Sequence, residues 1–127
     1  MSTQPLHGLR VVELCEGIAG PWAGRLLAGY GADVIKVEPP DGDRSRAMGP
    51  FPSDGPNPET GALHLHLNTG KRSVVGSVGD ELIDRLIDGA DIVSQSSALI
   101  NPEDIEQNHP GLVLVTVTSF GLLGRYN

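Results

Sequence analysis

Glycines at positions 17, 20 and 24, with an acidic residue at 38, are the first places where this 127-residue chain suggests chemistry by residue type and spacing. A glycine turn that leads from a strand into a helix gathers unpaired amides at the helix N-terminus. Such amides receive anions, phosphates above all. The ligand class this points to is a nucleotide-bearing cofactor. The dinucleotide fingerprint needs G-x-G-x-x-G and an acid about 20 residues further on. Glu38 meets the second requirement, but glycines three and four apart do not encode the tight first turn. A phosphate also calls for donors on loops. Arg44, Arg46, Lys71, Arg72 and Arg125 fall in predicted loops, whereas Arg10, Lys36 and Arg85 sit on or beside regular elements and Arg25 lies on a helix.

Other reactive side chains are read as structural. Cys15 closes the first strand beside the glycine turn, and a small buried apolar role suits it better than a thiolate's. His64 and His66 would share a face only on a strand, and no cysteine or third histidine is near, so no metal site is expected. Asp41 and Asp43 in a proline-rich loop, and Asp80 and Glu81 in a helix's first turn, read as solvated carboxylates. Trp22 reads as a core anchor for its helix rather than a stacking platform for adenine.

The elements that must position these residues follow from periodicity. A strand is predicted over 10–14, a helix from Pro21 to about Leu27, and a second strand over 33–37, where Val34, Ile35 and Val37 are stopped by Glu38 and two prolines. Six of the ten prolines fall between 39 and 61, together with Gly42, Gly49 and Gly55, which marks a long irregular stretch read as an active-site flap. A short helix is predicted over 62–67 and a strand over 73–77. The clearest helix carries Leu82, Ile83, Leu86 and Ile87 at helical spacing, with acids at its start and Gly89 at its end. A short strand at Ile92 and Val93, an acidic helical turn over 102–108 and a buried strand over 112–117 complete the series. Strands alternating with helices of this length imply right-handed crossovers and one α/β domain, 1–127, built on a doubly wound, mainly parallel sheet.

Composition limits the partners. The chain is 39% hydrophobic and 20% charged, ordinary for a globular domain, and its formal charge of −7 with nine Lys and Arg argues against nucleic acid or an anionic membrane. No apolar run approaches the roughly 18 residues of a membrane span, and the first five residues lack the start of a signal peptide. A single cysteine agrees with a reducing compartment, so a cytoplasmic location is expected.

Six blocks in order make a specific match: Pro5-Leu6-x-Gly8 to Leu14, Ala19-Gly20-Pro21, Gly31 to Pro40, Asn68-x-x-Lys71-Arg72-Ser73, Ala90 to Val93, and Phe120-Gly121-x-x-Gly124. Together they resemble the family III CoA-transferases, also called the CaiB/BaiF family, which includes formyl-CoA transferases and alpha-methylacyl-CoA racemases. The resemblance implies a Rossmann-like large domain that binds coenzyme A, acting on an acyl-CoA and a small carboxylic acid without a metal. It implies backbone contact with CoA at Gly17, Ile18 and Ala19, and further contacts at Asn68, Lys71, Arg72 and Ser96. It also implies an interlocked dimer, so a homo-oligomer, or a separate chain carrying the C-terminal half, is the expected partner. Transferases of this kind use an aspartate nucleophile that splits the acyl transfer into easier steps. Racemase members use a His and an Asp to exchange the α-proton. Both sets lie downstream of the Phe-Gly-x-x-Gly block, so no catalytic residue is assigned, and the chain reads as the CoA-binding N-terminal part of the enzyme, truncated relative to the family. A non-catalytic CoA-binding module and a degenerate remnant are the alternative readings. They arise because Ser94 to Ile100 replaces a family stretch that usually reads Val-Glu-Asn-Phe-Arg-Pro-Gly, and Arg125 stands where the family commonly has proline.

Overall fold

A computed structural model describes residues 4–126. Five strands, β1 (Arg10–Leu14), β2 (Asp33–Glu38), β3 (Arg72–Val75), β4 (Ile92–Gln95) and β5 (Val113–Thr116), form one sheet in the order β3-β2-β1-β4-β5. Every neighbouring pair is parallel, as crossovers through helices require. The connecting helices are α1 (Ala19–Gly29), α2 (Ala62–Asn68), α3 (Glu81–Asp88) and α4 (Pro102–Asn108). The chain runs outward from β1 to β3, then returns to the other side of β1 for β4 and β5. Helices α1 and α2 therefore cover one face, and α3 and α4 the other.

Strand alternation divides the buried side chains between these faces. On the α3/α4 face Val12, Leu14, Val37 and Val93 pack against Ile83 and Ile87 of α3 and Ile105 of α4 in an apolar, uncharged core, with the buried amide of Gln95 at its edge beside Leu14. On the α1/α2 face the apolar cluster is small, centred on Val11, Ala32 and Val34. Toward the carboxyl ends of the strands the same face turns ionic, with Glu13, Lys36, Glu38 and Asp43 all buried.

Several expectations need correction. Helix α1 starts two residues before Pro21 and reaches Gly29, which puts Pro21 in the first turn, where its missing N–H costs nothing. Trp22 is not a core anchor. It is 41% exposed, because the face of α1 that meets β1 is made by Gly20 and Gly24 and leaves no depth for an indole. Instead it stacks on His66 of α2, with Arg25 over its ring. Asp43 is buried in an ion pair rather than solvated. Strand β5 is an edge strand with only one face covered, so Val113 and Val115 are exposed. Residues 39–61 are fastened at their start rather than loose. A 3-10 turn, Arg44–Ala47, is capped by Asp43 and drawn onto the sheet by Arg46, whose guanidinium donates to both oxygens of Glu38 at 2.7 and 2.8 Å.

Candidate functional site

In a doubly wound sheet, ligands bind beyond the carboxyl ends of the strands where the strand order reverses. Here that point lies between β1 and β4, and the residues leaving those strands are Glu16 to Ala19 and Ser96 to Leu99. Gly17 has φ +82°, a conformation that glycine alone adopts without strain. Ile18 caps α1 without a side-chain hydrogen bond, and the amides of Gly17, Ile18 and Ala19 have no acceptor among the described residues. Arg44 lies over this turn, 74% exposed at its side chain and only loosely paired with Glu16 at 3.6 Å. On the β4 side, the Ser96 hydroxyl accepts from the Glu16 amide at 3.1 Å.

Gln95, fully buried, holds the far end of that second loop. Its side chain accepts from the Ile100 amide at 2.8 Å and donates to the Ile100 carbonyl and the Thr116 hydroxyl, each at 3.0 Å. Between the two loops opens a cleft of about 240 Å³, walled by Leu14, Val37 and Leu99 and edged by Glu16, Ser77 and Ser96. A larger hollow of about 590 Å³ at β5 is lined mainly by leucines and Ile105 and lies away from the switch point. The smaller cleft is the better candidate because it lies at the switch point beside the uncapped start of α1.

Behind the first loop lies a closed ring of polar side chains. Glu13 meets Lys36 at 3.1 Å and Lys71 at 2.7 Å, and Lys36 meets Asp43 at 2.7 Å. Asp43 accepts from the Ser45 hydroxyl at 2.6 Å, Ser45 bonds His64 Nδ1 at 2.7 Å, and the Asn68 amide reaches both His64 and Lys71. Two ammonium groups balance two carboxylates. Burial disfavours the charge of Lys36, but Glu13 and Asp43 overcome it and hold its pKa above the usual lysine value. Burial dominates at Lys71 and lowers its pKa despite Glu13. At Asp43 burial is outweighed by bonds from Lys36 and Ser45, and the pKa falls. Burial and the Arg46 charge lower His64, which favours the neutral ring. The hydrogen bonds from Arg46, aided by Ser73 and the Asp43 amide, hold the Glu38 carboxyl at about 2 despite its burial. Glu38 is thus committed to the fold and is not free to meet a ribose.

Of the residues singled out from sequence, Gly17, Ile18, Ala19 and Ser96 come together at the switch point. Asn68 and Lys71 sit behind them in the ring, Lys71 donating to the Pro21 carbonyl at 2.8 Å. Arg72 stands apart. It opens β3 rather than lying in a loop, and alternation turns it to the α3 face, where it pairs with Asp33 beside Arg85 and Gly89. Lys71 does lie in the loop between α2 and β3, but its side chain is 1% exposed and turned into the ring rather than toward solvent. His64 and His66 point to different neighbours on α2, one into the ring and one onto Trp22. Cys15 is buried, and burial raises its thiol pKa. Sequence reasoning missed Glu13 and Lys36. Their signal was a charged residue at an inward position of an otherwise apolar strand.

The family pattern described as CoA-transferase family III matches residues 6–127. The chain belongs to that family. A succinate–glutarate CoA-transferase from Agrobacterium fabrum is 40% identical over 136 residues, which span 96% of this chain and 34% of that protein. The succinyl-CoA:(R)-benzylsuccinate CoA-transferase subunit BbsE of Thauera aromatica is 33% identical, over 95% of this chain and 32% of its own length. Among solved structures, a CaiB/BaiF family protein from Brucella suis superposes with a TM-score of 0.84 at 36% identity, over 98% of this chain and 36% of that one. The chain thus spans about a third of the length of these family III members. The doubly wound parallel sheet and the family read from the six sequence blocks both stand. No helix among the described residues is long and apolar enough to cross a membrane.

Proposed function

We propose that this chain is the coenzyme A-binding part of a family III CoA-transferase, which moves CoA between an acyl-CoA and a carboxylic acid through an aspartyl intermediate. The observation that carries this reading is the uncapped start of α1 at the switch point, where three amides without an acceptor among the described residues lie on the loop beside the cleft and the Arg44 guanidinium stands over Gly17. Amides at a helix N-terminus, joined by an arginine, form a receptor for phosphate groups such as those of CoA. In this reading Gly17, Ile18 and Ala19 contact the coenzyme through their backbone, and Ser96 borders it from the β4 loop. Lys71 and Asn68 act from behind, by holding the loop, and Arg72, paired with Asp33 on the other face of the sheet, takes no part in the contact.

The aspartate that accepts the acyl group is supplied by polypeptide outside these 127 residues, on the same chain or a separate one. Exposed Ile18, Trp22, Leu26 and Tyr30 along α1 form an apolar stripe at four-residue spacing, which supports assembly with further polypeptide or a second copy. The names of the relatives favour dicarboxylic acids such as succinate as the acids exchanged. Calorimetric titration of the chain with CoA tests the central reading. Micromolar binding that weakens in Arg44→Ala is expected. Absence of both heat and thermal stabilisation would overturn it in favour of a sheet that keeps the family fold without its ligand.

A further inference from the structure

The loop that carries Gly17, Ile18 and Ala19 is tied at both ends to lysines that do not reach solvent. Lys36 Nζ donates to the Cys15 carbonyl at 2.7 Å, and Lys71 Nζ donates to the Pro21 carbonyl at 2.8 Å. One carboxylate holds both ammonium groups, since Glu13 Oε1 lies 3.1 Å from Lys36 and Oε2 2.7 Å from Lys71. The peptide unit joining Cys15 to Glu16 is therefore pinned at each pole, its oxygen by Lys36 and its N–H by Ser96.

Each ammonium has three protons and three partners. Lys36 donates to Glu13 and the Cys15 carbonyl and is ion-paired with Asp43 at 2.7 Å, and Lys71 donates to Glu13, the Asn68 side chain and the Pro21 carbonyl. A donor so completely used cannot turn, so the carbonyls it holds cannot turn either. Buried ion pairs add little stability over apolar side chains of the same volume, because desolvation offsets the attraction. What they add is direction. Helix α1 is shaped around the bridge, because a Cβ on Gly24 would stand 1.9 Å from Glu13 Oε2 and 3.2 Å from Lys71 Cε.

We propose that the buried Lys36–Glu13–Lys71 bridge is a positioning device that sets the backbone of the Cys15–Pro21 loop in the conformation that receives coenzyme A. This rests on the CoA reading given above. None of the three side chains touches the ligand, and each acts through the carbonyl it holds or the partner it aligns.

The test is a charge-balanced double variant, Glu13→Gln with Lys71→Met, which removes one pair without orphaning a charge, since Lys36 keeps Asp43. Three quantities are read on the full chain: the urea unfolding midpoint, amide hydrogen exchange at Glu16 and Trp22, the hydrogen-bonded amides that bracket the loop, against that of β2 and β4, and the Kd for CoA. The expected result is a midpoint near that of the parent chain, with protection at Glu16 and Trp22 largely lost while that of β2 and β4 is kept, and CoA binding weakening about tenfold, as a competent population of about one in ten demands. Unchanged exchange at Glu16 and Trp22 in the folded variant overturns the proposal, and so does lost protection with undiminished CoA affinity. If the parent chain itself binds no CoA while the variant's loop exchanges faster, the CoA reading fails and the loop-setting role stands. Should the double variant not fold, Glu13→Gln alone is read by the same loop exchange, and there too an unmoved loop overturns the idea.

Discussion

The two faces of the sheet are held by opposite means. Beneath α3 and α4, residues Val12, Leu14, Val37, Ile83, Ile87, Val93 and Ile105 make a core without a charge. Beneath α1 and α2, at the same height on the strands, Glu13 and Lys36 point from neighbouring positions of β1 and β2 into a ring of paired charges. An apolar core is forgiving, because contacts are many and non-directional and a lost methyl group costs only its share. An ionic ring is unforgiving, because each member satisfies another and removing one strands the rest. The forgiving face lies under helices that only close the fold, and the unforgiving face lies under the loop that meets the candidate ligand.

That contrast breaks most sharply at Glu13. Glu13→Ala leaves two buried ammonium groups short of a partner and should cost about 3–5 kcal/mol in urea unfolding. Ile83→Ala, at the centre of the other face, should cost about 2–5 kcal/mol. If Glu13→Ala proved much milder than Ile83→Ala, the ring would be water-filled and the contrast lost. Acid sharpens the comparison next. The Glu38 carboxyl is held at about 2, well below its unfolded value, so its contribution is present at neutral pH and is lost as pH falls from roughly 4.5 toward 2. A shift of this size is on the order of 3 kcal/mol. Asp43, also lowered, adds in the same direction, and His64, favoured as the neutral ring, begins the loss as pH drops below about 6.5. A stability profile that stays flat between pH 5 and 2.5 would contradict this, and Glu38→Gln should flatten much of it at the cost of lower stability at neutral pH. The smallest effect belongs to Arg72→Met. Its pair with Asp33 is half exposed on both sides, and its removal should change stability by less than about 1 kcal/mol while leaving CoA affinity untouched.

The fold was largely legible because the strands are short, apolar and separated by turn residues, and because α3 shows its buried pair Ile83 and Ile87 at helical spacing. The site was legible in part. Gly17 is readable as a turn, and Ser96 as a border residue only through the family's order of blocks. The ring was not legible. Periodicity treats Lys36 and Glu13 as interruptions of hydrophobic runs, since nothing local says that a charge 23 positions away will neutralise each one. Likewise, Lys71 and Arg72 read as one basic pair, yet the two-residue period of a strand sends them to opposite faces with unrelated partners. Trp22 failed as a core residue because two glycines on its own helix had already brought α1 too close to β1.

The contact between Gly24 and Glu13 ties the histories of two distant positions. A methyl group at 24 has no room while a glutamate occupies 13, and a shorter acid at 13 would leave a void that a bare glycine does not fill. Either change alone passes through a damaged protein. The exchange open to this family is therefore a joint one, Glu13→Asp with Gly24→Ala. Sequences that carry one half should carry the other, a correlation between a strand and a helix that neither element's own pattern would foretell.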